Sequence, residues 1–181
     1  MSLLTWNCRG AGNPATVQEL RVLTKRFAPS MLCILETQIE GSRVEGLVDK
    51  LGFNKSFAVG SVGRSGGLGV FWNDSIKAKI IGYSQYHIDM EVEDLVRPFR
   101  VTFFYGEAQV PERYKTWYTM RGIVMASTLP WIAMGDFNEV LHASEHDGIG
   151  NHSQAQMDAF RDALDTCGLS DIGYKGNSWT F

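Results

Sequence analysis

The sequence predicts an α/β fold, and three observations carry the prediction. Short apolar runs of strand length alternate with stretches whose apolar residues recur at helical spacing. The helical stretches open at capping signals. The centre of the chain instead holds several strand-like runs separated by glycine-rich or Asn-Asp turns. With 181 residues and no repeat or Pro/Ser-rich linker, the chain is expected to form one domain over 1–181, with sheets in the middle and helices outside.

Taken in order, Leu3-Leu4-Thr5-Trp6 opens the chain as a strand. Asn13-Pro14 then supplies a cap and a first-turn proline, and Val17, Leu20, Leu23 and Phe27 fall on one helical stripe that Pro29 ends. Met31-Leu32-Cys33-Ile34-Leu35 is a buried strand. Ser42 with Glu45 has the form of a capping box, and Val44, Leu47, Val48 and Leu51 predict a second helix. Phe57-Ala58-Val59, the run from Gly66 to Trp72, Ala78-Lys79-Ile80-Ile81, His87 to Val92 and Arg100 to Tyr105 predict an antiparallel meander. Pro111-Glu112 opens a third helix bearing Tyr114, Trp117, Arg121 and Val124, followed by a strand over Trp131-Ile132-Ala133-Met134. A second capping box, Ser153 with Gln156, starts a fourth helix that turns Met157, Phe160, Leu164 and Cys167 inward, and Gly168 stops it.

Composition narrows the function classes. The formal charge of −3 presents no basic surface overall, so a nucleic-acid partner must be held by a local patch or through a metal. Cys8, Cys33 and Cys167 form no CxxC pair and share no ligand spacing with histidine, so they are expected to be small core residues without a disulfide framework. No apolar stretch of about 20 residues predicts a membrane span. Nucleus or cytoplasm is the expected compartment.

The candidate chemistry lies where apolar strands end in polar residues. Asn7, Glu36 and Tyr105 each close a strand, and Asp136 and Asn138 follow Trp131 to Gly135. A carboxylate or amide in that position needs a partner or a role. Asp136 and Asn138 would leave one side of a strand about 7 Å apart and could act on one phosphate, or they could simply form a turn. Glu36 is a hard oxygen donor suited to Mg²⁺, or else a solvated strand end. Asn7 could orient that carboxylate or share the metal, or serve as a turn residue. Tyr105 could donate from its phenol to a phosphate oxygen, or belong to the core. His87, His142, His146 and His152 are expected at the surface. Gly66-Gly67-Leu68-Gly69 lacks the helix and Lys-Ser/Thr pair of a P-loop and predicts a close approach between strands.

Jointly, Thr5-Trp6-Asn7-Cys8-Arg9-Gly10, Leu35-Glu36-Thr37, Gly66-Gly67-Leu68, Phe104-Tyr105-Gly106, Gly135-Asp136-Phe137-Asn138-Glu139 and Asn177-Ser178-Trp179-Thr180-Phe181 resemble the endonuclease/exonuclease/phosphatase superfamily. More closely, they resemble the apurinic-type endonuclease domain of plant LINE-type (non-LTR) retrotransposon proteins. The resemblance implies a four-layer α/β sandwich, two packed mixed β-sheets flanked by helices. It also implies hydrolysis of a phosphodiester by an activated water with Mg²⁺ or Mn²⁺. In that scheme Glu36 holds the metal with Asn7 beside it, Asp136 positions or deprotonates the water, Asn138 orients the phosphate, and Tyr105 supports the developing charge. Gln38 stands where the family has a lysine. The sequence ends at Phe181, ahead of the family's Arg-Ile-Asp strand and Ser-Asp-His motif. On that pattern the domain is expected to lack its final strands, to be crippled or inactive as a nuclease, and to bind nucleic acid weakly. An exposed sheet edge would then invite a protein partner or self-association. The alternative is a domesticated pseudoenzyme acting as a protein-binding or regulatory module.

Overall fold

The computed structural model describes residues 1–63, 65–94, 96–146 and 152–173. The Asn177–Phe181 segment lies outside them. The chain forms two compact units, one of Met1–Tyr105 with Leu129–Asp136, the other of Gly106–Thr128 with the described residues from Phe137 onward.

The first unit contains two four-stranded mixed sheets with flanking helices. Its elements are β1 (Leu3–Asn7), α1 (Pro14–Phe27), β2 (Met31–Leu35), α2 (Gly41–Glu45), α3 (Val48–Leu51), β3 (Lys55–Val59), β4 (Leu68–Trp72), β5 (Lys77–Ser84), β6 (His87–Glu93) and β7 (Phe99–Tyr105). Two elements follow in the second unit and one more in the first: α4 (Tyr114–Met125), β8 (Trp131–Asp136) and α5 (Gln154–Thr166) in chain order give helix, strand, helix, with β8 returning to the first unit. One sheet runs β1-β2-β4-β3 and the other β5-β6-β7-β8. Each has one parallel pair, β1 with β2 and β7 with β8, and antiparallel pairs elsewhere.

Strand alternation sorts the core into two layers. Met31, Cys33 and Leu35 of β2 meet Ile88, Met90, Val92, Val101 and Phe103 from the other sheet in one cluster. Leu32, Ile34 and Phe71 point the opposite way and pack with Leu20, Val44, Leu47 and Leu51 of the helices. All five residues of β2 are buried, which is why it reads as an unbroken apolar run. Gly69 sits at the tightest point of the helical layer, where a Cβ would come within 2.3 Å of a Val44 methyl. The Gly66–Gly69 run is thus a close approach, but at Gly69 the tight neighbour is helix α2 and not the adjoining strand expected from the sequence.

On the face of the second sheet turned away from the first, Asp89 and Arg100 form a buried ion pair. The Arg100 Nε donates to the Asp89 carboxylate at 2.9 Å, and Arg100 Nη2 also reaches it. Thr102 Oγ1 donates to Asp89 at 2.8 Å, and Trp131 Nε1 donates to Thr102 at 2.8 Å, tying β6, β7 and β8 together. Removing either ion would strand the other, a loss of about 3–5 kcal/mol.

In the second unit, Ser153 and Gln156 form the reciprocal capping box that opens α5. Trp117 of α4 stacks on Phe160 of α5 with centroids 4.7 Å apart, and Phe137 packs on Phe160 at 5.3 Å.

Several sequence expectations need correction. The second helix is two short ones, because Gly46 and Leu47 interrupt it, and its first cap is Glu40 rather than Ser42. The meander divides between the sheets: β3 pairs only with β4, and β5 starts the second sheet. Inward-facing residues are apolar on both sides of that crossover, so the periodicity does not mark it. The third helix begins at Tyr114, after a 3₁₀ turn over Val110–Glu112, rather than at Pro111-Glu112, and it buries Thr116, Trp117, Met120 and Ile123. On α1 only Leu20 is fully buried, and Phe27 is exposed beneath the Arg26 guanidinium.

Two glycines make opposite predictions. Gly69→Ala forces Val44 aside and should lower the melting temperature by several degrees, from about 1–3 kcal/mol of overpacking. Gly122, exposed within α4, has nothing within 4 Å of its would-be Cβ, so Gly122→Ala should raise stability by about 0.5–1 kcal/mol. Thermal denaturation of both variants checks the packing; a neutral Gly69→Ala would contradict it.

Candidate active site

The two parallel pairs bring four of the five candidate side chains to strand ends within the first unit. Asn7 is paired with Leu35, one residue before Glu36, and Tyr105 is paired with Asp136. The two sheets are linked at these ends: Asn7 Nδ2 donates to Asp136 Oδ2 at 2.8 Å. Asn7 Oδ1 meanwhile accepts the Arg9 backbone N–H at 3.2 Å, which fixes the amide's orientation. Asn7, Glu36 and Asp136 are each half-buried. Tyr105 is buried, its ring part of the inter-sheet core at the edge next to Asp136.

The turn after β2 is clamped on both sides. Gly10 N–H donates to Glu36 O at 2.9 Å and Ala11 N–H to Thr37 O at 2.8 Å, while Thr37 and Gln38 donate to Gly67 O and Gly66 O at 3.1 Å each. A Cβ on Gly67 would fall 2.2 Å from Thr37 Oγ1, and its φ of +89° independently favours glycine. This contact explains the Gly66-Gly67 pair: it seats the segment that carries Glu36. Gln38 Nε2 in turn donates to Glu36 Oε1 at 2.9 Å, a neutral partner for the carboxylate.

Backbone strain concentrates here. Arg9, Glu36 and Gln38 hold φ values of 45°, 55° and 55°, and among the described residues Ala28 at the end of α1 and Asn138 in the second unit are the other non-glycine residues with positive φ. Such conformations cost of order 1–3 kcal/mol each and persist only where surrounding structure imposes them. Gly135 is forced as well: with φ +141°, a Cβ there would lie 2.0 Å from Phe104 O. Only glycine lets β8 run against β7 up to Asp136.

Asn138 departs from expectation. The strand ends at Asp136, so alternation does not extend to Asn138. Asn138 belongs to the second unit, where its left-handed backbone turns its amide to donate to Gly106 O at 2.7 Å. The adjoining Glu139 was not singled out by sequence reasoning. Its carboxylate is enclosed, pairing with Arg113 Nη1 at 2.5 Å, with His152 Nδ1, and with the Val140 N–H at 3.0 Å. His152 is therefore held in this cluster rather than free at the surface; the only sequence signal was an acidic residue directly after the Gly-Asp-Phe-Asn run.

Cys8 lies beneath the Glu36 turn. Burial pushes its thiol up to about 11, with the Glu36 charge adding to the rise and backbone N–H groups at Gly10 and Cys8 opposing it. Its Sγ donates to Leu35 O at 3.3 Å.

The model of the Endonuclease/Exonuclease/phosphatase family matches residues 4–181. The chain belongs to that family. Similar folds include the endonuclease domain of TRAS1, a telomere-specific non-LTR retrotransposon, at 13% identity and TM-score 0.68, over 96% of this chain and 73% of that one. The 3′ phosphatase NExo from Neisseria, bound to product DNA hairpin, matches at 14% and 0.70, over 92% and 71%. The AP endonuclease LMAP from Leishmania major matches at 14% and 0.68, over 92% and 66%. No curated protein matches significantly. These likenesses are of fold.

The donor chemistry at the strand ends is all oxygen: Glu36, Asp136 and the Asn7 amide. Such a set fits a hard, largely hydrated cation that takes one or two protein carboxylates. Among the described residues, no group of three or more His, Cys, Asp or Glu stands close enough to cage a metal.

The Asn7–Asp136 bond yields a pH-dependent prediction. Asn7→Asp replaces the donor with a second carboxylate, and the shared proton that relieves the repulsion is lost as pH rises through the raised carboxyl pKa. The variant should match wild type near pH 4 and lose about 1–2 kcal/mol by pH 7. Denaturant melts at the two pH values decide it; equal losses at both would contradict the contact.

Proposed function

We propose that this chain is a phosphodiester-cleaving endonuclease of the retroelement type, resembling the plant LINE-type domains, that works with Mg²⁺ or Mn²⁺ on nucleic acid. The observation that carries the reading is the Asn7–Asp136 hydrogen bond, which joins the ends of two sheets into one polar edge beside Glu36 and Tyr105. Glu36, with Asn7 beside it, would hold the cation, which when bound lowers the pKa of water and offsets phosphate charge. Asp136 is the group to orient or deprotonate water, and the Asn7 amide holds its carboxylate in place for that work. Tyr105 offers a phenol at the end of β7 for a phosphate oxygen. Asn138, by contrast, would have to release Gly106 O before its amide could bind substrate.

That tether and the Gln38 amide on Glu36 favour a second reading, a site with slow turnover whose present role is binding to protein. In this reading the edge strands β1 and β8 would receive the partner or a second copy.

Nicking of supercoiled plasmid with Mg²⁺ or Mn²⁺ tests both. Metal-dependent nicking that falls at least about 10²-fold in Asp136→Ala and in Glu36→Gln supports the endonuclease. Nicking unaffected by Asp136→Ala, or absent with both metals, contradicts it and leaves the binding role.

A further inference from the structure

Outside the strand ends, the first unit carries a groove of about 470 Å³ between α1 and the α2–α3 segment. Its lining contains three cations, Arg21, Arg43 and Lys50, and no carboxylate. All three are exposed, and among the described residues none has an ion-pair partner within 4.0 Å. Arg21 makes only a 3.3 Å contact to Gln18, also in the lining. Glu19, Glu40, Glu45 and Asp49 lie on the same stretches of chain but outside the lining. Small residues, Gly12 and Gly46, open the groove between the charges.

The groove borders the two loops that leave the strand ends of the candidate site. Its rim residues Ala11 and Gly12 end the loop that leaves Asn7, and Ile39 ends the turn that leaves Glu36. The two loops are bonded side by side through Ala11 N–H and Thr37 O. The three residues from Glu36 to Ile39 span at most about 10 Å, about three base steps of one nucleic-acid strand. A molecule of net charge −3 thus concentrates unpaired positive charge beside its polar strand ends.

We infer that this groove is a phosphate-backbone contact for nucleic acid, in which Arg21, Arg43 and Lys50 hold the strand on the side of the site flanked by α1. The inference rests on the nucleic-acid reading above. It extends that reading to three residues with no part in the chemistry. Charge complementarity selects a polyanion, and the groove's place beside the strand-end loops selects the substrate's own backbone over an unrelated anion.

The test is fluorescence anisotropy with a labelled 20-nucleotide duplex in EDTA, across about 50–200 mM NaCl, for wild type and the triple variant Arg21→Gln/Arg43→Gln/Lys50→Gln. Each lost contact should flatten the slope of log K against log salt by about 0.9. The triple variant should therefore lose about 2–3 units of slope and bind at least tenfold more weakly at low salt. All three substitutions are on exposed side chains, and unchanged thermal melts will show that the fold is intact. A triple variant with wild-type slope and affinity overturns the inference, as does a wild type that does not bind the duplex. Calorimetry with inorganic phosphate adds a further arm: heat abolished in the triple variant while duplex binding is unchanged would make this a small-anion site and overturn it too. Nicking measured in parallel separates the two readings. Loss of nicking with salt-sensitive binding intact sinks the catalytic reading alone, whereas nicking with charge-independent binding sinks the groove alone.

Discussion

One hydrogen bond, from Asn7 to Asp136, ties the β1 end of one sheet to the β8 end of the other. It requires that both parallel pairs finish at the same edge, and the rest of the first unit is arranged to make that so. A parallel strand pair needs a crossover, and α1 supplies it between β1 and β2, while α4 and its loops supply it between β7 and β8. The apolar layer between the sheets fixes the depth at which these ends stand, because Leu35 and Tyr105, the last strand residues before the polar edge, both belong to it. An asparagine suits the joint better than an aspartate would, since it donates to a carboxylate and accepts a backbone N–H at once.

Close backbone approach is the second constraint. Gly67, Gly106 and Gly135 each sit where a Cβ would run into a neighbouring segment, at Thr37 Oγ1, Phe137 O and Phe104 O respectively. Left-handed residues stand beside the groups these glycines approach, Glu36 and Gln38 on either side of Thr37 and Asn138 after Phe137. The glycines remove steric bulk so that the polar residues can turn out of their strands. Strain at these turns is thereby supported by packing elsewhere, a pattern associated with sites held in a required geometry.

Much of this was legible in the sequence, for physical reasons that differ by element. Polar residues ending apolar runs marked Asn7, Glu36, Tyr105 and Asp136 as strand ends, because a polar group without a cross-strand partner costs least at a strand's open end. The α5 capping box was legible because its two hydrogen bonds are made by residues three apart. The Ser42–Glu45 match failed because the helix already starts at Gly41 with Glu40 as its cap, which places Ser42 inside it, so local spacing alone could not establish a cap. Division of the central strands between sheets depends on pairing across the chain, which periodicity does not encode. The Asn138 tether and the Glu139–Arg113–His152 cluster are also long-range, linking residues up to 32 positions apart in the sequence. They could be seen only once the chain was folded.

Asn7, Glu36 and Asp136 are proposed to border one cation-binding edge. The most direct measurement is a substoichiometric Mn²⁺ titration followed by ¹⁵N amide spectra, since a paramagnetic ion broadens the signals nearest to it. The account predicts that the amides of Asn7 to Arg9, Glu36 to Gln38 and Asp136 broaden first and together. Broadening confined to exposed acidic stretches such as Glu91 to Glu93 or Asp158 to Asp162, with the strand ends untouched, would contradict it.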